Sequence, residues 1–145
     1  MSNAYVVDAN VVVKLFVDEE LSAQARALLG RLALPEPDQF FAPDLLLAEC
    51  ANVLWKYVQF YGYDVEIARA NLADLADLAI QTVPVINLFQ EAFELGHRLS
   101  IAVYDACYVT LAEGLGYPLV TADEPLVRRL AGEGLPVLYL GDLLS

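Results

Sequence analysis

The chain has 145 residues, 58% of them hydrophobic, and 20 acids against 8 bases for a net charge of −12. That length suits one domain over residues 1–145 with a full core, and although mean hydropathy is +0.48 no apolar run is long enough to span a membrane. The acidic balance counts against broad electrostatic binding of nucleic acid, though not against an enzyme that meets a phosphate locally, and the absence of a basic, then apolar, opening segment points to the cytoplasm.

Tyr5-Val6-Val7 reads as a short buried strand, and Val11–Phe16 as helical despite its valines. Asp18, Glu19 and Glu20 are expected to open the next helix, where acids favour the positive end, and Gly30 lies near its close at about Leu32. Pro35-Glu36-Pro37-Asp38 is a loop, followed by a strand at Phe40-Phe41-Ala42. Asp44 is placed to cap a helix over Leu45–Phe60 that Gly62 stops, and Asp64 to cap another reaching Ile80.

Val83-Pro84-Val85 is at best a short edge strand, because Pro84 cannot donate to a ladder. Asn87 is expected to open a helix to about Leu99. A further helix covers Val103–Leu115, with Gly114 and Gly116 at its end. Leu119-Val120-Thr121 is a strand, Pro125 suits the first turn of the following helix, and Val137–Leu140 is the last strand. Strands alternating with helices predict a short, mainly parallel sheet covered on both faces.

Cys50 and Cys107 sit in apolar helical contexts and read as buried free thiols. With His97 they make three soft or borderline ligands, too few for a zinc site. His97 falls in a helix away from the acids, so an exposed or satisfied imidazole is favoured.

Four acids stand out because each interrupts an apolar stretch: Asp8, Glu49, Asp105 and Asp123. A carboxylate in such surroundings is costly to ionise without a counter-charge. Oxygen ligands alone suit a hard cation such as Mg²⁺ or Mn²⁺. Asp8 and Asp123 follow strand ends, where open parallel sheets place their sites, and Asp105 falls in a helix's first turn.

Val7-Asp8-Ala9-Asn10, Pro43-Asp44-Leu45 through Glu49-Cys50-Ala51-Asn52, Tyr104-Asp105-Ala106 and Thr121-Ala122-Asp123 together resemble the PIN-domain family. The closest flavour is the VapC-like toxin ribonucleases of bacterial and archaeal toxin–antitoxin pairs. The resemblance runs over nearly the whole chain. It implies a three-layer α/β/α domain that cleaves RNA phosphodiesters with Mg²⁺ or Mn²⁺. It also implies Asp8, Glu49, Asp105 and Asp123 as catalytic acids and metal ligands. Asn10 stands where many members have Ser or Thr, Thr121 matches the hydroxyl before the fourth acid, and Asn52 a polar position one turn after Glu49; these three would support the acids. A cognate antitoxin and a homodimer are further implications.

Glu49, Asn52 and Lys56 share a helical face at i, i+3 and i+7. Lys56 and Lys14 are candidate phosphate contacts, against a solvated-rim reading that is favoured for Lys56 and evenly balanced for Lys14. Arg128 and Arg129 read as surface charge before RNA contacts. Glu124 is a rival to Asp123, Asp44 a cap, Asp74 and Asp77 a solvated helix face, and Asp142 a surface residue. The run Val53-Leu54-Trp55 to Tyr61 is too apolar for one buried face and, with Leu72, Leu75 and Leu78, suits a subunit contact. Base stacking by Tyr57 or Tyr61 ranks below core or interface.

Two other functions stay open at this point: a solitary PIN nuclease of RNA processing, and a non-catalytic acidic α/β module that binds metal to order a partner surface. A receiver-like site expects a lysine after a late strand, which the final strand lacks. An aspartyl-phosphate phosphatase expects a second acid where Asn10 stands.

Overall fold

A computed structural model describes residues 2–143. Its centre is a five-stranded, wholly parallel sheet in the order β3-β2-β1-β4-β5. The strands are β1 (Ala4–Val7), β2 (Gln39–Pro43), β3 (Ile80–Val83), β4 (Leu119–Thr121) and β5 (Val137–Tyr139). Helices α1 (Ala9–Val12), α2 (Ser22–Leu29), α3 (Leu45–Phe60), α4 (Val65–Asp77), α5 (Phe89–Leu99), α6 (Val103–Leu115) and α7 (Glu124–Leu130) fill the connections.

The inner strands are apolar throughout because helices cover the sheet. Val6 and Val7 of β1, and Leu119 and Val120 of β4, are fully buried. The chain builds outward from β1 to β2 and β3, then returns to the other side of β1 for β4 and β5. The strand order therefore reverses between β1 and β4, and a crevice beyond their carboxyl ends is the place where such sheets bind ligands. Val6 and Val7 pair with Leu119 and Val120, and the Asp8 N–H extends that ladder to the Val120 carbonyl at 3.0 Å.

Several local expectations change. Asp18, Glu19 and Glu20 lie before α2, which starts at Ser22 after Leu21 takes a left-handed backbone at φ 69°. Ser22 Oγ accepts from the Glu19 N–H at 3.0 Å and donates to the Val17 carbonyl, so a hydroxyl rather than an acid organises that turn. Asp44 does not cap α3 with its side chain; its Oδ1 accepts from the Val85 N–H at 3.0 Å, tying the ends of β2 and β3. Asp64 does cap α4, accepting from the Glu66 and Ile67 N–H groups.

The helix expected to reach Ile80 ends at Asp77, and Ile80–Val83 becomes the edge strand β3. Parallel pairing with Phe40–Pro43 of β2 decides this, an interaction outside any local window. Pro84 falls just beyond the ladder. Asn87 closes a 3-10 turn, and α5 begins at Phe89. The last strand ends at Tyr139, with Leu140 in a 3-10 turn.

Helix α6 carries two residues of the site and is seated closely on α5. A Cβ on Gly96 of α5 would meet the Ile101 carbonyl at 2.9 Å, which only glycine avoids. Gly116 ends α6 at φ 73°. Trp55, Phe60, Tyr61, Ile67 and Leu72 are exposed on α3, α4 and the turn between them, as an unpartnered face requires, whereas Leu54 and Leu75 are buried in the core. No helix among the described residues is long and apolar enough to cross a membrane.

Candidate active site

Asp8 leaves the end of β1 as the N-cap of α1, where its Oδ1 meets the Asn10 N–H at 3.5 Å. It is 6% exposed, the most buried of the four acids. Burial pushes its carboxyl up to about 7; the Thr121 bond pulls it down, and the charges of Asp105 and Glu49 raise it again.

Thr121 is the centre of the polar network. Its hydroxyl donates to Asp8 Oδ2 at 2.9 Å and accepts from Asn10 Nδ2 at 3.2 Å and from the Asp123 N–H at 3.1 Å. Asn10 Oδ1 in turn accepts from the Ala122 N–H at 3.0 Å. Asn10 and Thr121 thus lock the loop after β4 onto the turn after β1.

Asp123 Oδ1 accepts from the Leu126 N–H at 3.1 Å and caps α7. Asp105 lies in the first turn of α6, half-buried; burial raises its carboxyl, and Asp123 raises it further. Glu49 projects from α3, also half-buried, with Oε1 accepting from the Tyr108 hydroxyl at 2.7 Å. Burial raises Glu49, the Tyr108 bond opposes this, and Asp105 adds to the rise.

Asp8 thus feels the charges of Glu49 and Asp105, Glu49 that of Asp105, and Asp105 that of Asp123, a chain of four acids around the ends of β1 and β4. Among the described residues no ion pair reaches any of them. Their donors are all oxygen, and such a set fits a hard divalent cation. Among the same residues, however, no three His, Cys, Asp or Glu side chains stand at the spacing of a ready-made metal cage. The acids are gathered but open. The backbone sets the common rim, while the spacing of the ligand oxygens follows the side-chain rotamers.

Cys50 and Cys107 are buried free thiols. Burial, with Glu49 and Asp8 nearby, pushes Cys50 up to about 12, and burial with Glu49 raises Cys107. Both stay neutral, so neither offers a soft thiolate to the rim. His97 is exposed on α5.

Lys14 does not face the rim as a free cation. It is buried and pairs with Glu19 at 3.0 Å, and Glu19 Oε2 also accepts from the Tyr57 hydroxyl at 2.5 Å. Burial demands an anionic partner for this ammonium, and Glu19 supplies it. Lys56 is exposed and borders a cavity of about 680 Å³ with Tyr57, Tyr61 and Tyr63. Asn52 is exposed on α3 and joins no side-chain hydrogen bond of the acid network among the described residues. Arg128 pairs with Glu124 at 2.8 Å on the surface of α7.

Tyr108 is the residue that sequence reasoning missed. Its signal was available: it lies three residues after Asp105, on the same face of a helix otherwise apolar there. Burial drives its phenol far up, with Asp8 and Glu49 adding to the effect, so it remains a donor.

The sequence matches the family model of the PIN domain over residues 5–132. The chain belongs to the PIN domain family. Its curated relatives include Ribonuclease VapC3 of Pyrobaculum aerophilum, 32% identical over 126 residues that cover 86% of this chain and 92% of that protein. Ribonuclease VapC1 of Mycobacterium tuberculosis is 36% identical over 132 residues, covering 90% of this chain and 92% of its own. Among solved structures, PAE2754 from Pyrobaculum aerophilum has a TM-score of 0.68 at 23% identity over 97% of this chain and 93% of that one. Mycobacterium tuberculosis VapC20, a sarcin–ricin loop cleaving toxin, has a TM-score of 0.65 at 16% identity over 90% and 95%. These two likenesses establish the fold, a sheet between helical layers.

Proposed function

We propose that residues 1–145 act as one PIN domain, a Mg²⁺- or Mn²⁺-dependent endoribonuclease of the VapC type that works in the cytoplasm as the toxin of a toxin–antitoxin pair. The observation that carries this reading is the meeting of Asp8, Glu49, Asp105 and Asp123 at the β1–β4 crevice. Asp8 and Asp105 would be the primary metal ligands, and Glu49 and Asp123 would complete a second site or hold metal waters. When bound, the divalent ion supplies the charge that makes water nucleophilic and offsets the phosphate oxyanion. The chain's own part is orientation. Thr121 and Asn10 hold Asp8 and the Asp123 loop in register, and Lys56 meets a flanking phosphate.

Exposed Trp55, Phe60, Ile67 and Leu72 suit a homodimer contact. Relatives in fold include VapBC2 of Rickettsia felis, solved bound to a fragment of promoter DNA, with a TM-score of 0.62 at 14% identity. An antitoxin segment for this chain would be apolar where it packs and would bring an arginine to the acids, whose planar fork pairs two carboxylate oxygens.

The test is incubation of the purified chain with a mixed tRNA and rRNA pool in Mg²⁺, Mn²⁺ or EDTA. Discrete new ends with metal and none in EDTA support the reading; intact RNA under every condition refutes it. Inhibition by the product of an adjacent small gene separates a toxin from a solitary RNA-processing nuclease.

A further inference from the structure

Tyr108 is 1% exposed, and its ring is fixed in the core by α6. A phenylalanine would fill the same space without burying a hydroxyl, which is costly in an apolar setting unless bonded. That hydroxyl has one partner among the described residues, Glu49 Oε1 at 2.7 Å, on a different helix. Glu49 has no other side-chain hydrogen bond among them. Its carboxylate sits on three rotatable bonds and is half-buried, so without an anchor it would sample several positions.

The anchor is well placed to select one. Tyr108 follows Asp105 by three residues, so the two leave α6 on the same face. The bond draws Glu49 of α3 toward the helix that carries Asp105, and Asp8 feels both charges. It uses Oε1 and leaves Oε2 for another partner.

We infer that Tyr108 is a positioning residue that holds the Glu49 carboxylate at the acid rim and thereby sets the affinity for divalent metal. The inference rests on the metal-dependent reading above. Tyr108 does not touch the ion or the RNA; it acts through Glu49. Groups that orient metal ligands in this way commonly cost about 10–100-fold in metal affinity when removed.

The test is a double-mutant cycle on Mn²⁺ affinity, read by electron paramagnetic resonance without RNA, in the wild type, Tyr108→Phe, Glu49→Gln and the double variant. Tyr108→Phe keeps the ring and the core volume, and metal-free melts of all four confirm folding. Tyr108→Phe is expected to weaken Mn²⁺ binding about tenfold or more, with less than about a twofold further loss in the Glu49→Gln background. Equal losses in both backgrounds mean that Tyr108 acts through general packing, and wild-type affinity in Tyr108→Phe means that it does not act at all; either overturns the inference alone. A wild type that binds no Mn²⁺ overturns the metal reading and the inference with it.

Discussion

Thr121 Oγ1 donates to Asp8 Oδ2 at 2.9 Å and so joins the ends of β1 and β4 across 113 residues of sequence. The same oxygen accepts from Asn10 and from the Asp123 N–H. One fully buried hydroxyl therefore sets the relative position of two of the four acids. Thr121→Val keeps the shape and removes all three bonds. It should lower metal-free stability by about 1–3 kcal/mol, the cost of leaving buried polar groups unsatisfied. Thr121→Ser should recover most of that loss. Urea denaturation at fixed pH measures both, and a fully stable Thr121→Val would show that the network is slack.

Asp8 makes metal-free stability depend on pH. Its carboxyl is held at about 7 in the fold, from an ordinary value of 3.8. Between those values the native protein keeps a proton that the unfolded chain releases. The contribution is therefore complete below the unfolded value and is lost as pH rises through about 7. Each pH unit between them is worth about 1.4 kcal/mol, so the limit is about 4 kcal/mol. In EDTA the wild type should melt at lower temperature at pH 8 than at pH 5, and Asp8→Asn should flatten that slope. A slope unchanged by the substitution would contradict the assignment of Asp8 as its source.

The two lysines should behave oppositely. Lys14 is buried against Glu19, so Lys14→Met should cost about 1–3 kcal/mol of stability, less than a fully buried pair because Glu19 is partly exposed. Its effect on RNA affinity should be small. Lys56 is exposed and borders the tyrosine-lined cavity, so Lys56→Ala should leave the melt unchanged and weaken RNA binding several-fold. Fluorescence anisotropy with labelled RNA in EDTA reads affinity apart from cleavage. Reversed effects would restore Lys14 as the phosphate contact.

Divalent metal should raise the melting temperature. An ion that binds only the folded state stabilises by about 2.7 kcal/mol at a hundredfold excess over its dissociation constant. Differential scanning fluorimetry with Mg²⁺ or Mn²⁺, then EDTA, should show a reversible rise that Asp8→Asn largely removes. An identical rise in Asp8→Asn would place the ion elsewhere.

Much of this architecture was legible where local chemistry dominates. Helix α3 begins after Asp44 and α6 ends at Gly116, and their bounds Leu45–Phe60 and Val103–Leu115 follow from the sequence. The end of α4 was not legible: the apolar spacing runs on through Leu78 and Ile80, and only pairing with β2 turns Ile80–Val83 into a strand. Asp44 illustrates the same limit, since its bond to the Val85 N–H spans 41 residues. The acids were visible because each interrupts an apolar run. Lys14 read as a phosphate contact or a solvated rim charge, and Glu19 as an acid opening a helix, because their pairing depends on the fold. Tyr108 was passed over because a tyrosine in an apolar helix reads as core until its hydroxyl is seen against Glu49.

The central claim is that the acid rim cleaves RNA. The most direct measurement maps 5′ and 3′ ends after a defined RNA pool is treated with wild type, Asp8→Asn and Asp105→Asn under identical Mg²⁺ or Mn²⁺, each protein first shown by its melt to be folded. Discrete cuts by the wild type and a loss of at least about a hundredfold in both variants are expected, in line with removing a metal ligand's charge from a reaction that depends on it. The same cuts at the same rate in either folded variant would contradict that claim.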